Sequence, residues 1–255
     1  MKKIAIIILS VASLFSANSY GNEPICVMSY NIHHGAPLSG ERDAARNAAI
    51  VNRFMPDIVA VQEVDSMTTR CPDNFLADMA YQTGMIPIFC PSMDYAGGRY
   101  GNGMLCREQP LNVSRYPLPG REEPRSVLVA EFNNYIAACT HLSLDVDDRT
   151  ASIEIIGDIS DQSSKPFFII GDFNDTPDSD FYKQLSTKFT AVNDTAAFTF
   201  PADVPNRTID YIMLDNNHAA SATISHQEVL DEPEVSDHRP VVVTLTIDNA
   251  TETKE

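Results

Sequence analysis

The amino-acid sequence predicts an α/β protein with a single domain. Short apolar segments typical of strands alternate with segments whose apolar residues recur at helical spacing, and a strand-rich region ends the chain. A length of 255 residues is sufficient for one large α/β domain. Because no repeat, linker or change of composition occurs after residue 24, we expect one domain over residues 22–255.

The first half of this domain is expected to contain three strands and two helices. Residues 25–31 are apolar and rich in strand-forming residues, and the run over residues 58–61 has no polar alternation, as in a strand buried on both faces. We expect strands over residues 25–31, 58–61 and 86–90. Apolar residues recur at helical spacing over residues 43–54, which Pro56 terminates, and over residues 73–84, where Gly84 is expected to cap the helix.

The second half of the domain is expected to contain seven further strands and one further helix. We expect strands over residues 103–107, 126–132, 135–141, 167–171, 209–214, 222–229 and 241–247. Asn133 and Asn134 are typical of a hairpin-like turn between two of these strands. Residues 149–160 place Ile153, Ile156 and Ile159 on one stripe, which predicts a helix.

The composition excludes several other classes of protein. Hydrophobic residues make up 44% of the chain and charged residues 21%, which is close to the average of soluble globular proteins and unlike disordered, collagen-like or coiled-coil chains. The formal net charge is −17. This acidity argues against tight binding of nucleic acid through counterion release alone, but it leaves open a nuclease that makes a few phosphate contacts through a metal ion.

The N-terminus has the pattern of an export signal. Lys2 and Lys3 precede an apolar stretch over residues 4–15, which is too short to span a bilayer comfortably. Small residues suited to cleavage follow at Ser16, Ala17, Ser19 and Gly21. The sequence therefore predicts a cleaved signal peptide over residues 1–21 and a secreted or periplasmic protein. An uncleaved membrane anchor is the alternative.

The five cysteines lie in the predicted mature domain without the spacing of a structural zinc site. A helix over residues 73–84 would run about 18 Å, and a strand over residues 86–90 would return about 17 Å. A disulfide between Cys71 and Cys90 is therefore one interpretation. The other is that all five cysteines are small buried apolar residues.

Polar side chains stand at the ends of the apolar strands. They are Asn31, Glu63, His141, Asp172, Asn174, Asp210, Asp237 and His238. Strand ends meet the loops at the edge of a sheet, which is where α/β proteins form their sites. Clustered carboxylates repel one another in a partly buried cleft, and a hard divalent cation would remove that repulsion. Oxygen ligands of this kind suit Mg²⁺, Mn²⁺ or Ca²⁺.

Seven stretches of the chain resemble one family, and they follow one another in that family's order. They are residues 28–35, 57–65, 100–105, 140–142, 171–174, 207–212 and 236–241. The family is the endonuclease/exonuclease/phosphatase superfamily, which includes pancreatic deoxyribonuclease, apurinic endonucleases, neutral sphingomyelinases and inositol-polyphosphate 5-phosphatases. The wording of the motifs is closest to that of compact exported bacterial members. The resemblance implies a four-layer α/β sandwich, in which two packed mixed β-sheets are flanked by helices.

The resemblance also implies a metal site. Glu63 would be the principal carboxylate ligand, Asn31 would add a neutral oxygen, and Asp237 would add a second carboxylate. One Mg²⁺ that keeps several waters is the usual arrangement of this cation, and Mn²⁺ or Ca²⁺ would suit the same oxygen ligands.

A catalytic set follows from the same resemblance. Asp210 would orient the His238 imidazole, which can take a proton from water at neutral pH. Asp172 would lie near the attacking water, so either His238 or Asp172 could be the base. Asn174 would donate its amide to a phosphate oxygen as charge develops. His141 would contact the phosphate and is a candidate to protonate the leaving oxygen.

Further residues are expected near the substrate. Asn102, His34 and Arg125 are candidates for phosphate or substrate binding, and for His34 a plain loop residue is an equal alternative. Asp65 and Arg99 are expected to form a structural ion pair near the cleft.

Three functions remain open at this stage. The first is a secreted metal-dependent phosphodiesterase of nuclease type, and the second is a phosphatase or phospholipase acting on inositol phosphates, phosphoinositides or sphingomyelin. The third is a non-catalytic binding module with the same fold. The expected partner is therefore a phosphate ester, either a nucleic acid or a phosphorylated lipid or inositol. We expect a monomer without a stable protein partner.

Overall fold

Two six-stranded mixed sheets pack face to face in the computed structural model, which describes residues 23–39 and 41–248. The first sheet contains β1 (Ile25–Asn31), β2 (Ile58–Ser66), β3 (Ile86–Tyr95), β4 (Gly98–Cys106), β11 (Ala222–Val229) and β12 (Val241–Ile247). The second contains β5 (Asn112–Leu118), β6 (Arg125–Glu131), β7 (Ile136–His141), β8 (Phe167–Asp172), β9 (Phe189–Ala191) and β10 (Asp210–Asp215). The predicted signal peptide lies outside the described residues.

The helices of the described residues are α1 (Ala44–Phe54), α2 (Phe75–Thr83), α3 (Val146–Ser160), α4 (Asp180–Leu185) and α5 (Asn216–Ala219), and a 3₁₀ turn spans His33–Gly35. Helices α1 and α2 cover the outer face of the first sheet, and α3 and α4 cover that of the second. Together the two sheets and the helices form the expected four-layer α/β sandwich. Among the helices of the described residues, none combines the length and the hydropathy that a membrane crossing requires.

Each sheet is built around one parallel pair of strands. The order of the first sheet is β11-β12-β1-β2-β4-β3, and that of the second is β5-β6-β7-β8-β10-β9. In the first sheet β1 and β2 run parallel and α1 connects them, whereas in the second β7 and β8 run parallel and α3 connects them. All other neighbours are antiparallel. The carboxyl ends of the two parallel pairs therefore each form a sheet edge at which loops can carry a site.

Three apolar cores explain why the central strands have no polar alternation. Successive side chains of a strand point to opposite faces, so Val27 lies between the two sheets whereas Met28 faces α1 and α2. In the second sheet Phe168 lies between the sheets and Ile169 faces α3 and α4. Both faces of the central strands are thus buried, as their continuous apolar sequence predicted.

Local signals set the ends of the helices. The Asp43 side chain accepts a hydrogen bond from the Ala45 amide and starts α1, and Asn74 does the same for α2 through the Ala77 amide. Gly84 ends α2 in the left-handed conformation, as expected. Helix α3 begins three residues before the predicted start because Asp145 caps the amides of Asp147 and Asp148.

The predicted pairing of Cys71 with Cys90 is wrong. All five cysteines are free thiols. Cys90 lies in the core between the two sheets, whereas Cys71 packs among residues of α1 and α2 on the outer face of the first sheet. The predicted lengths of helix and strand did bring the chain back, but they could not show that the sheet itself separates the two sulfur atoms.

Candidate active site

The ends of the parallel strands from both sheets meet at one cleft of about 700 Å³. Asn31 ends β1 and Asp172 ends β8, and the amide nitrogen Nδ2 of Asn31 donates a hydrogen bond of 3.1 Å to Asp172 Oδ2. The same nitrogen donates to Glu63 Oε1 at 3.2 Å. Asn31 is almost fully buried, so this one amide joins the first sheet to the second at the floor of the cleft.

A β-bulge in β2 directs the Glu63 side chain into the cleft. Val61 is paired with Gly103 and Val64 with Gly101, so that Gln62 and Glu63 together oppose a single residue of β4. The backbone of Glu63 is left-handed, with φ of 57°. A bulge of this kind changes the direction of a side chain and often lies beside an active site.

Asp172, Asp210 and His238 form a group that we call the buried cluster. Asp210 is paired with Asp172 across the ladder of β8 and β10. His238 Nδ1 lies 3.1 and 3.0 Å from the two carboxylate oxygens of Asp210, and His238 Nε2 lies 3.6 Å from Asp172 Oδ2. Asp210 thereby fixes the orientation of the imidazole, while the other ring nitrogen faces Asp172.

Opposing effects act on the pKa values of the buried cluster. Burial alone would lower the pKa of His238, but the carboxylates of Asp210 and Asp172 outweigh it and raise the pKa above that of a free imidazole. Burial raises the pKa of Asp172, and the Asp210 carboxylate acts in the same direction. The cluster is therefore built to hold a proton between a carboxylate and an imidazole.

His141 and Asn174 complete this side of the cleft. His141 ends β7, and its Nε2 lies 3.5 Å from Asp172 Oδ2. Burial and the charge of Arg125 lower the pKa of His141 to about 3, so its ring is neutral at pH 7. The Asn174 amide group donates to the Leu142 carbonyl at 2.9 Å, and its backbone N–H donates to Asp172 Oδ1 at 2.9 Å.

Gly171 explains how the strand end can adopt this geometry. Its φ is +151°, and a Cβ atom built there would lie 1.9 Å from the Thr140 carbonyl oxygen of the parallel neighbour β7. Only glycine fits such a close approach of two backbones. Asp172 is the next residue, and its side chain lines the cleft.

His33, His34 and Glu63 form a second group, which we call the open cluster. One potential ligand atom of each lies within 4.8 Å of those of the other two, and all three residues are partly exposed. His34 Nδ1 lies 3.8 Å from Glu63 Oε2, and His33 Nδ1 lies 3.7 Å from Asp237 Oδ1. Burial acts to raise the pKa of Glu63, but the His34 and His141 imidazoles and the Asn31 amide lower it below the usual range, so the carboxylate is ionised.

The side chains around Glu63 fit a divalent cation. The ionised Glu63 carboxylate and the Asp237 carboxylate both line the cleft, and carboxylate ligands of this type hold divalent metals. In the described conformation Asn31 presents its amide nitrogen to Glu63 and Asp172, while its Oδ1 accepts the backbone N–H of His33 at 3.0 Å. Asn31 would therefore have to turn its amide before its oxygen could bind the cation.

Of the three predicted substrate-binding residues, two line the cleft. His34 and Arg125 do so, and Arg125 forms ion pairs with Glu122 at 3.3 Å and Glu123 at 3.0 Å. Asn102 is buried behind the cleft wall, where its amide donates to the Ser126 carbonyl at 3.0 Å. Its place opposite the bulge in β2 suggests that it supports the position of Glu63.

The expected ion pair between Asp65 and Arg99 is wrong. Asp65 instead binds Arg70, with a distance of 2.6 Å between Asp65 Oδ2 and Arg70 Nε, and Arg99 lies 3.6 Å from Asp94. In the ladder of β2 and β4, Arg99 is opposite Ser66 rather than Asp65. Because adjacent residues of a strand point to opposite faces, this register places Arg99 on the other side of the sheet.

Several residues of the cleft wall had no role assigned to them from the sequence. Arg70 reaches the cleft from a loop, where its guanidinium lies 4.6 Å from the Tyr95 ring. The Phe200 ring lies 4.6 Å from the ring of His238, and the Arg207 guanidinium lies 4.8 Å from Phe200. Arg207 stands in one of the seven motif stretches, so its position was a usable signal, whereas Arg70 and Phe200 are brought in only by the folded loops.

A four-layer sandwich with carboxylates, amides and imidazoles gathered at its strand ends defines a hydrolase-type α/β protein. The chain belongs to the Endonuclease/Exonuclease/phosphatase family, whose sequence model matches residues 28–238. Members of this family are hydrolases that act on phosphate esters, and they typically depend on a divalent metal. Among curated proteins, none is significantly similar to this chain in sequence.

Three solved structures illustrate the breadth of similar proteins. An endonuclease/exonuclease/phosphatase from Beutenbergia cavernae is 22% identical, with a TM-score of 0.75 over 89% of this chain and 72% of that one. A mannosyl-6-phosphatase from Bacteroides thetaiotaomicron is 18% identical, with a TM-score of 0.64 over 87% and 99%. TDP2 from D. rerio, complexed with a single strand DNA product, is 16% identical, with a TM-score of 0.66 over 88% and 99%. At these identities the likeness extends to the fold alone.

Proposed function

We propose that this protein is a secreted hydrolase that requires a divalent cation and cleaves a phosphodiester bond, in the manner of a nuclease. The observation that carries the proposal is a continuous chain of contacts. It runs from Glu63 through the Asn31 amide to Asp172 and from there to His238 and Asp210. These residues come from five distant parts of the sequence, and they join a cation-binding carboxylate to a proton-transfer pair.

Glu63 and Asp237 would hold the cation, with Asn31 as a third ligand once its amide has turned. A bound divalent cation would neutralise the charge that develops on the phosphate oxygens. The ionised state of Glu63 supports this assignment, because a carboxylate without a proton is the form that binds metal.

The buried cluster would activate the attacking water. Either His238 in its neutral form or Asp172 in its ionised form accepts the water's proton as the water oxygen attacks phosphorus, and Asp210 holds the His238 ring in the orientation needed. The oxygen–phosphorus bond to the leaving group then breaks, and the leaving oxygen takes up a proton. His141 is the candidate for that step in its protonated form, and in the neutral form that prevails at pH 7 its ring can donate a hydrogen bond to the phosphate.

Asn174 and Arg125 would bind the phosphate group. Both line the cleft. The Asn174 side chain is fixed by its hydrogen bond to the Leu142 carbonyl, so its second amide hydrogen is oriented without further loss of entropy. Donors that are already in place are worth more to a transition state than mobile ones.

A phosphomonoesterase acting on a small phosphorylated molecule is the second candidate. A cleft of about 700 Å³ is within the range of small-molecule sites, and a formal charge of −17 disfavours long-range attraction of a polyanion. The structurally similar mannosyl-6-phosphatase gives an example of such a substrate on this fold. Inositol phosphates, phosphoinositides and sphingomyelin belong to the same group of alternatives.

A substrate panel tests the proposal. Purified protein is incubated with plasmid DNA, RNA, sphingomyelin and phosphorylated inositols, each with Mg²⁺ and with a chelator. We expect cleavage of nucleic acid that the chelator abolishes. The ratio of activities on bis-p-nitrophenyl phosphate and p-nitrophenyl phosphate then separates diesterase from monoesterase.

Two results would count against the proposal in different ways. Cleavage of phosphomonoesters alone would replace the nuclease by the second candidate. No hydrolysis of any ester, together with unchanged biological function of a Glu63→Ala protein, would favour a non-catalytic binding module. Export is tested separately by the mass of the N-terminus of the protein from the periplasm or medium, which should begin at Tyr20 or Asn22.

A further inference from the structure

The open cluster contains nitrogen donors that a site for a hard cation does not need. Magnesium is bound by oxygen ligands and waters, whereas imidazole suits zinc and other first-row transition metals. Here two imidazoles and one carboxylate place potential ligand atoms within 4.8 Å of one another. Two histidines and one glutamate form a ligand set that catalytic zinc sites use.

Both imidazoles turn a nitrogen inward, away from water. The Nδ1 atoms of His33 and His34 are inaccessible to solvent and have no hydrogen-bond partner in the described part of the chain. Their nearest carboxylate oxygens are those of Asp237 at 3.7 Å and Glu63 at 3.8 Å, too far for hydrogen bonds. A shielded polar atom without a partner is energetically unfavourable, and a bound cation would supply the missing partner to both nitrogens.

All three residues of the open cluster have a strained backbone. The φ angles are 46° for His33, 46° for His34 and 57° for Glu63. Positive φ is unfavourable for residues other than glycine, and such strain concentrates at ligand sites. Gly35 allows the turn to pack directly against Phe75, because a Cβ atom at this position would lie 2.4 Å from the Phe75 ring. The backbone thus holds the two rings beside Glu63 at a cost that packing of the rings alone does not explain.

We propose that His33, His34 and Glu63 bind a borderline divalent transition metal of the zinc type, with Asp237 as a fourth ligand. The zinc–ligand bonds of such a site are about 2.0–2.2 Å, so its ligand atoms stand closer together than 4.8 Å. The two imidazoles and the Glu63 carboxylate, all partly exposed, would have to rotate towards one another to reach these distances.

This inference rests on the proposed function for the position of the cation, since both place it at Glu63. It goes further by assigning the metal class and two ligands that act through nitrogen. It predicts that the site prefers Zn²⁺ or Co²⁺ to Mg²⁺ by a wide margin, because affinity for nitrogen-containing sites rises through the first-row metals towards zinc.

Titration of the metal-free protein with Co²⁺ tests the inference without reference to catalysis. Visible d–d absorption reports the ligands of Co²⁺, and Zn²⁺ should abolish it by displacement. His33→Asn and His34→Asn remove the imidazoles, and asparagine tolerates positive φ, so the turn is kept. The matched control is His226→Asn, because His226 also lies beside a carboxylate, 3.5 Å from Glu228, but on the exposed strand β11.

We expect one equivalent of Co²⁺ with a visible band in the wild type and in His226→Asn. Loss of even a supporting partner of a metal ligand weakens binding about 10–100-fold, so each ligand variant should weaken it by about 100-fold or more. An unchanged band in either ligand variant, or no band in the wild type, would overturn the inference. If a variant does not fold, Zn²⁺ titration of the wild type by NMR decides the matter, because ring signals of His33 and His34 must shift while those of His226 stay.

The outcomes also separate this inference from the proposed function. Ester hydrolysis with Mg²⁺ in a protein that shows no cobalt band would refute the zinc-type site and leave the phosphodiesterase intact. A cobalt band that depends on both histidines, in a protein that cleaves none of the esters, would support the zinc-type site and refute the phosphodiesterase.

Discussion

The two clusters that face the cleft differ in how complete they are. In the buried cluster, Asp172, Asp210 and His238 are all buried, and the ring of His238 is held by Asp210 at 3.0 Å. In the open cluster the side chains of His33 and His34 are 34% and 14% exposed. Their inward nitrogens have no hydrogen-bond partner within residues 23–39 and 41–248.

This contrast shows which part of the site the fold completes without a ligand. The buried cluster follows regular strands, and its charged groups compensate one another, so the fold alone determines its geometry. In the open cluster, His33 and His34 lie in a 3₁₀ turn and Glu63 lies in a β-bulge, and all three residues have positive φ. The open cluster therefore combines backbone strain with polar atoms that have no hydrogen-bond partner among the described residues, as expected of a site that a ligand completes.

Replacing His238 is expected to have the largest effect, because it removes the proton-transfer group of the buried cluster. General acid–base catalysis contributes about 10²–10⁴-fold to rate, so His238→Ala should lower kcat by about 10³-fold. The fold should persist, since the ring lies at the cleft and makes its hydrogen bonds to Asp210 alone. Steady-state kinetics measure the loss, with circular dichroism as the check on folding and His226→Ala as the control. Activity within tenfold of the wild type would contradict the role of the buried cluster.

Glu63→Gln should have the second-largest effect, because it removes the charge of the open cluster and keeps its shape. The Asn31 amide can still donate to the new side-chain oxygen, so the connection between the sheets is preserved. We expect kcat at a fixed cation concentration to fall by about 100-fold or more, as for loss of a metal ligand. Higher cation concentrations should restore part of the rate, which kinetics as a function of metal concentration would measure. A variant with the metal dependence of the wild type would show that Glu63 is not a ligand.

Gly35→Ala should destabilise the protein by constraining the turn that carries the two histidines. The new Cβ would lie 2.4–2.9 Å from three atoms of the buried Phe75 ring, at a residue whose φ is +73°. Backbone strain and overpacking together should lower the free energy of unfolding by about 2–4 kcal/mol, which denaturant unfolding would measure. Gly84→Ala is the matched control, because Gly84 has φ of +69° but no atom within 4 Å of the added Cβ. Its loss should be about 1 kcal/mol, and equal losses would show that Phe75 does not restrict the turn.

The sequence predicted the central strands well, because burial on both faces leaves a continuous apolar run that needs no tertiary information. Strands β1, β11 and β12 have the predicted bounds. The edge strand β5 was not expected, since Pro117 interrupts its pattern and only one of its sides is paired. Strand β9 has three residues, too few for any periodicity to appear.

The convergence of the site was predictable for a related reason, since polar residues stood at the ends of strands that could only meet at a sheet edge. Distances and partners were not predictable. The register of β2 and β4 places Arg99 on the opposite face from Asp65, which pairs with Arg70 instead. Cys71 and Cys90 lie on opposite faces of the first sheet and therefore cannot form a disulfide. These outcomes depend on register and on layer, which a single sequence does not encode locally.

Arg207→Ala should have the smallest effect and separates substrate binding from both clusters. The Arg207 guanidinium lies over Phe200, whose ring packs against His238, and it forms no ion pair among the described residues. An exposed cation at the rim can attract an anionic substrate but does not touch the proton-transfer groups. We therefore expect KM to rise about 3–10-fold, equivalent to about 1 kcal/mol, with kcat nearly unchanged. The rise should shrink as salt is added, since exposed charges are screened.

Arg53→Ala is the control, because Arg53 pairs with Glu232 outside the cleft. A fall in kcat with unchanged KM would instead mean that Arg207 acts through Phe200 on His238, and that its role is to position the buried cluster rather than to bind substrate.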